Sequence, residues 1–225
     1  LAKYIAVGGW NNTDIVLVKA DGSGEMTNLT ESGYSDNNAK WVLDGKAMIW
    51  SSDRAGYRSH GSWGAQGDVY IMFFDGEAYD KFRLSKEEQA LLDEEKQDQK
   101  SDTDKGKDKD AKKDKDKDKN KDKKEEPTVE PLKFDLANRK DRIMRLTVNS
   151  SFLGDAVLTP KGDKLYYCAA FESGYDLWEH DFKENTTKLL IKGVGGGSMF
   201  ADKKGENIFL ISGGQLKKIE VKNSK

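Results

Sequence analysis

Three stretches of the chain follow one plan. DGKAMIWS (44–51), KGDKLYYC (161–168) and KGENIFLI (204–211) each set a glycine turn ahead of an apolar run. The last two lie about 43 residues apart, the spacing of a four-stranded propeller blade. A second element follows the first two copies: an aspartate, a short strand-like run and a polar turn, in DVYIMFFDG (68–76) and DLWEHDF (176–182), with an earlier copy in DIVLVKADG (14–22). A third closes each unit, as NLT (28–30), RLS (83–85) or RLT (145–147), and KLL (188–190). Units this small cannot bury both faces of a sheet alone and must stack on one another.

This order predicts an all-β fold, a partial β-propeller of about three to four four-stranded blades. The expected divisions are a partial blade at 1–32, a blade at 33–85 completed by 131–150, an insertion at 86–130, a blade at 151–192 and the start of the next at 193–225. RLS and RLT flank the insertion, and either could supply the outer strand of that blade. The insertion begins with Ser85 and Glu88 spaced as a capping box ahead of Ala90, Leu91 and Leu92, so a short helix should start there. From 96 to 126 the sequence is low complexity, with the run KDKDKDKNKDKK, and holds almost no apolar groups to offset ordering entropy. Disorder is the expectation for that stretch. Its alternating lysines cancel the aspartate charge and exclude a calcium loop of the EF-hand kind.

Charge and composition narrow the function. Much of the 35% charged fraction comes from the insertion, and the formal net charge is -2. That balance gives no case for nucleic acid, which requires clustered uncompensated cations. No apolar stretch approaches the roughly 20 residues of a membrane-spanning helix. The lone cysteine, Cys168, excludes an internal disulfide and sits in LYYCAA, as a buried inert thiol would. Two distant histidines and one cysteine cannot assemble a zinc site, and His180, alternating with Trp178, is read as a packing or surface residue of a strand. GVGGGS (193–198) lacks the lysine of a phosphate loop and precedes strands, so it is read as an interblade turn. No cofactor is expected. The chain opens at Leu1 directly into the strand-like YIAV, which suggests a trimmed or fragmentary chain.

The stretch SSDRAGYRSHGSWGAQGD (51–68) concentrates polar and aromatic groups. Asp53, His60 and Ser62 have the residue types of a hydrolase triad, yet all three lie on one loop with nothing to hold them in register. GSWG is not a nucleophile elbow. The loop joins the second and third elements of its blade, where the other blades have only GGWNNT and AFESGY, so it is the longest loop on one propeller face. Arg54, Tyr57, Arg58, His60 and Trp63 are the candidate contacts to a peptide or a partner domain. Aromatics folded back onto a neighbouring blade are the structural alternative.

DGKAMIWSSDRAG followed by DVYIMFFDGEAYDKFRLS resembles the WD40-like repeats of TolB and of tricorn-type propellers. RLSKEEQALL with its lysine-rich insertion, then DRIMRLTVNSSFLGDAVLTPKGDKLYYCAAFESGYDLWEHD, resembles the propeller region of tricorn-like S41 serine peptidases of bacteria with two membranes. The resemblance implies a periplasmic or exported parent whose PDZ and protease domains lie elsewhere, with propellers that admit, filter or hold peptide or unfolded protein. No catalytic motif of that family matches a position here, so no catalytic residue is expected in this chain. The alternatives are a TolB-like protein-binding propeller with no protease attached, or the lid propeller of a prolyl-oligopeptidase-type enzyme.

Overall fold

The computed structural model describes residues 2–5, 12–58, 64–104 and 132–221, with backbone alone at 2–5 and 96–104. These residues form four antiparallel sheets in chain order. The first holds β1 (Ala2–Ile5), β2 (Thr13–Leu17) and β3 (Thr27–Asn28). The second runs β4 (Asp36–Val42), β5 (Ala47–Ser52), β6 (Asp68–Phe73) and β7 (Ile143–Arg145). The third is β8 (Phe152–Leu158), β9 (Lys164–Ala170), β10 (Asp176–Asp181) and β11 (Thr186–Ile191). The fourth is β12 (Ser198–Ala201), β13 (Asn207–Ser212) and β14 (Gln215–Glu220). Strands pair with their chain neighbours within each sheet, and the arrangement is a partial β-propeller.

The apolar runs are the middle strands, and their lack of alternation has a simple cause: both faces are covered. Met48, Trp50, Tyr70, Met72 and Phe74 pack against Ile15 and Leu29 of the first sheet. Ala47, Ile49, Val69, Ile71 and Phe73 pack against Ala156, Leu158, Leu165, Tyr167 and Ala169 of the third. Tyr166, Cys168 and Leu177 then pack against Met199, Ile208 and Leu210 of the fourth. Each fully buried side chain contributes about 1.5–3 kcal/mol of transfer free energy, which no sheet could collect alone.

The glycine turn ahead of each run is a backbone requirement. Gly45, Gly162 and Gly205 all have positive φ, at 84°, 74° and 69°, a region where a side chain clashes with its own backbone.

RLT, not RLS, supplies the outer strand of the second sheet: β7 pairs with β6 through Tyr70 and Arg145. RLS instead closes a helix, α1 (Gly76–Arg83), capped at its start by Asp75, whose side chain accepts from Ala78 N at 2.9 Å. Tyr79 and Phe82 of α1 pack on Phe73, and Phe82 reaches Phe182 of the third sheet at 5.3 Å between ring centres. The capping box is formed as its spacing predicts, with Glu88 N donating to Ser85 Oγ (3.2 Å) and Ser85 N to the Glu88 carboxylate (2.8 Å). The helix it opens, α2 (Lys86–Asp104), is longer than expected, and residues 105–131 lie outside those described. On its return the chain is pinned by Arg142, which donates to Phe73 O and Asp135, and by Arg139, which donates to Leu29 O and Asn28 O. The insertion therefore leaves the second sheet from the end opposite the 51–68 loop.

Candidate binding face

The loop grows out of the end of β5. Asp53, 5% exposed, accepts from Ser35 N at 3.0 Å and pairs with Arg58 Nε at 3.1 Å. The Arg58 guanidinium lies 5.0 Å over the Tyr34 ring. Arg54 turns inward over Tyr70 (4.8 Å) and Trp50 (5.5 Å), and its Nε donates to Ser52 Oγ at 3.2 Å. Its Nη2 stands 3.5 Å from both carboxylate oxygens of Asp36. Asp36 is fully buried and also receives Ser32 Oγ (2.6 Å) and Trp50 Nε1 (3.1 Å). Two guanidiniums are thus held by buried carboxylates near the junction with the first sheet, an arrangement in which charge-assisted bonds offset desolvation.

The other end of the loop reaches the next blade. Gln66 N donates to Tyr57 O at 2.8 Å, and a Cβ on Gly56 would lie 2.1 Å from Gln66 O, so the two limbs touch. Gly67 and Ser151 exchange backbone hydrogen bonds of 2.8 and 3.2 Å, tying the loop to the start of the third sheet. The two limbs of the loop are thus tied to the connection that leads into β4 and to the start of the third sheet. Of its candidate contacts, Arg54 faces inward as above, Arg58 is exposed but paired with Asp53, and Tyr57 projects at 68% exposure. His60 and Trp63, with Ser62 of the triad-like set, lie outside the described residues. The same end of the third sheet exposes Phe152 and Phe171, the latter edge-on to Trp178 at 5.2 Å.

The repeated aspartate of the sequence proves to be a stitch. Asp68, fully buried, receives Thr147 Oγ1 (2.6 Å), Arg145 Nη2 (2.7 Å) and Ser150 Oγ (2.7 Å), fastening the start of β6 to the end of β7. Asp14 receives Thr30 Oγ1 and Asn28 Nδ2 in the first sheet, and Asp176 receives Gly193 N in the third. The threonine that closes NLT and RLT is the partner this carboxylate needs.

Sequence reasoning passed over Lys40. It sits on β4, and its Nζ donates to Asp155 Oδ2 (2.6 Å), Ala156 O (2.8 Å) and Met199 O (2.9 Å). One ammonium therefore joins the first strands of three consecutive sheets, so β4, β8 and β12 converge. Burial lowers its pKa, and Asp155 draws it back up. Nothing in NNAKWV marks this lysine, because its partners lie more than a hundred residues downstream.

Cys168 is buried, and desolvation pushes its thiol up to about 12. His180 donates to or accepts from its cross-strand partner Thr187 through Nδ1 at 2.9 Å and packs on Phe182. At the opposite end of the sheets, Leu17, Trp41, Leu132, Phe134 and Leu136 line an apolar cavity of about 620 Å³. Among the described residues, no group of three or more His, Cys, Asp or Glu could hold a metal ion, and no helix is long and apolar enough to cross a membrane.

No family model and no curated protein matches the chain. Among solved structures, the tricorn protease is similar at a TM-score of 0.56 and 9% identity, over 94% of this chain and 18% of that one. TolB from Acinetobacter baumannii aligns at a TM-score of 0.49 and 9% identity, over 97% of this chain and 37% of its own. The chain thus spans about a fifth and a third of those lengths. At such identity the tricorn likeness shows the fold alone, a propeller-type stack of sheets.

Proposed function

We propose that this chain is a non-catalytic propeller segment of an exported, tricorn-like S41 serine peptidase, and that it guides or holds peptide on its way to a protease domain outside residues 1–225. The observation that carries the reading is the 51–68 loop: one limb is anchored at Ser35 and Asp36 and the other at Ser151 of the next sheet, while Tyr57 stands out from it at 68% exposure. A rigidly based loop with a projecting aromatic suits extended, sequence-varied ligands, because tyrosine supplies large contact area at low entropic cost. The inward turn of Arg54 and the pairing of Arg58 with Asp53 support a positioning role for them, with contact falling to Tyr57 and to the exposed Phe152 and Phe171. His60 and Trp63 complete the proposed contact set. Export to the periplasm is part of the same proposal.

Binding of fluorescein-labelled β-casein, an unfolded protein, tests the reading by anisotropy. Saturable binding is expected, weakened at least about fivefold by Tyr57→Ala, as for truncation of an aromatic hot spot. No binding, or equal binding by the variant, overturns it. Casein cleavage that disappears in Ser62→Ala would overturn the non-catalytic part. The reading frame beyond Lys225 tests the parent: PDZ and S41 domains support it, whereas a stop leaves a TolB-like binding propeller and a hydrolase domain points to a prolyl-oligopeptidase lid.

A further inference from the structure

The middle strands of the last three sheets repeat one register. Met48 and Trp50, then Leu165 and Tyr167, then Ile208 and Leu210 face the preceding sheet. The alternate residues face the following one: Ile49 of β5, Tyr166 and Cys168 of β9, and Phe209 and Ile211 of β13. Cross-strand pairing extends the correspondence to the flanking strands. Val157 opposes Tyr166 as Phe200 opposes Phe209, and Leu177 opposes Cys168 as Leu216 opposes Ile211. Position for position, Val157, Tyr166, Cys168 and Leu177 on the third sheet match Phe200, Phe209, Ile211 and Leu216 on the fourth.

The two sets differ in what covers them. The third sheet's four are 5%, 3%, 0% and 0% exposed beneath the fourth sheet. On the fourth sheet, Phe200, Ile211 and Leu216 are 52%, 47% and 69% exposed. An apolar patch of this kind, bordered on β14 by the Lys218–Glu220 pair, marks an interaction site.

We infer that the outward face of the fourth sheet seats a further blade of the same repeat, next in the polypeptide, with large aliphatic side chains at the positions of Met199, Ile208 and Leu210. The occupant follows from continuity. Each of the three interfaces present joins sheets that are consecutive in the chain, and each sets one sheet's following-face residues against the next one's preceding-face residues. Among the described residues, the fourth sheet repeats that register without the cover. This inference does not depend on peptide binding at the 51–68 loop.

A photoreactive benzoylphenylalanine at Leu216, in the polypeptide expressed from its own gene, tests it. The expected cross-link is intramolecular and falls on a strand that follows a glycine turn and alternates large apolar residues; the same probe at the exposed Ser23 gives none. With the probe moved to Phe200, an Ile211→Asp and Leu216→Asp pair should cut the yield about tenfold or more, because unpaired carboxylates resist burial. The far-ultraviolet circular dichroism of residues 1–225 should not change. A cross-link to a second copy, to another protein or to a segment without the repeat pattern overturns the inference, as does a reading frame that holds no such segment. Loss of the spectrum in the aspartate pair overturns it as well, since those side chains would then belong to the fold of this chain itself.

Discussion

Replacing Lys40 by methionine keeps most of the side-chain stem and removes only the ammonium. Asp155, 8% exposed, is then left with its bonds to Met199 N (2.7 Å) and Ala156 N (2.8 Å) but no counter-charge, and the carbonyls of Ala156 and Met199 lose their shared donor. Breaking a buried pair in this way costs about 3–5 kcal/mol. A quarter of the Lys40 side chain is open to water, and screening there lowers the expectation to about 2–3 kcal/mol. For a domain of this size that corresponds to a fall in Tm of about 4–12 °C. Urea is the denaturant of choice, since guanidinium is itself a salt that screens the pair. A cycle with Asp155→Asn should show a coupling of about 1–2 kcal/mol, the double variant losing less than the sum of the singles. A Lys40→Met protein within about 0.5 kcal/mol of the parent, or a strictly additive cycle, would refute the idea that one ammonium holds three sheets together.

The remaining predictions are shorter. Burial holds the His180 pKa below its usual value, so the unfolded chain takes up that proton first; stability should fall as pH drops from about 6.5, and His180→Gln should flatten that slope in urea titrations between pH 5 and 7. Gly205→Ala combines a φ of 69° with a Cβ 2.8 Å from Pro160 Cδ and should cost about 1–3 kcal/mol by thermal unfolding. Cys168 should ignore Ellman's reagent in the native protein and react only at the rate of unfolding, which a reaction time course in urea checks. Deleting 96–126 should move Tm by no more than about 2 °C in calorimetry, because that stretch has few apolar groups with which to pack.

What could be read from the chain follows the physics of each element. Strands buried on both faces, such as β5, β6 and β9, must be apolar throughout, and turns at positive φ favour glycine, so the repeat of turn and run was plain. The first strands of the sheets were not. DNNAKWV and FLGDAVL are each broken by a register shift, at Asn37/Lys40 and at Leu153/Ala156, and bury only part of their length, which erases any alternation. Helix α1 escaped because it has no fully buried residue; Tyr79 and Phe82 find Phe73 and Phe182 only after two sheets have stacked. The 51–68 loop stood out by composition, but the inward turn of Arg54 depends on Asp36 and Tyr70, which become its neighbours only in the folded sheet.

The two long excursions of the second sheet leave from opposite ends, one toward the candidate binding face and one toward the capped helices. For anyone wishing to watch ligands arrive, this supplies a built-in handle. A fluorophore, an affinity tag or a whole reporter domain spliced between Asp104 and Leu132 would hang from the far side of the stack, and a sensor chip coupled through it would present Tyr57 to the flowing solution.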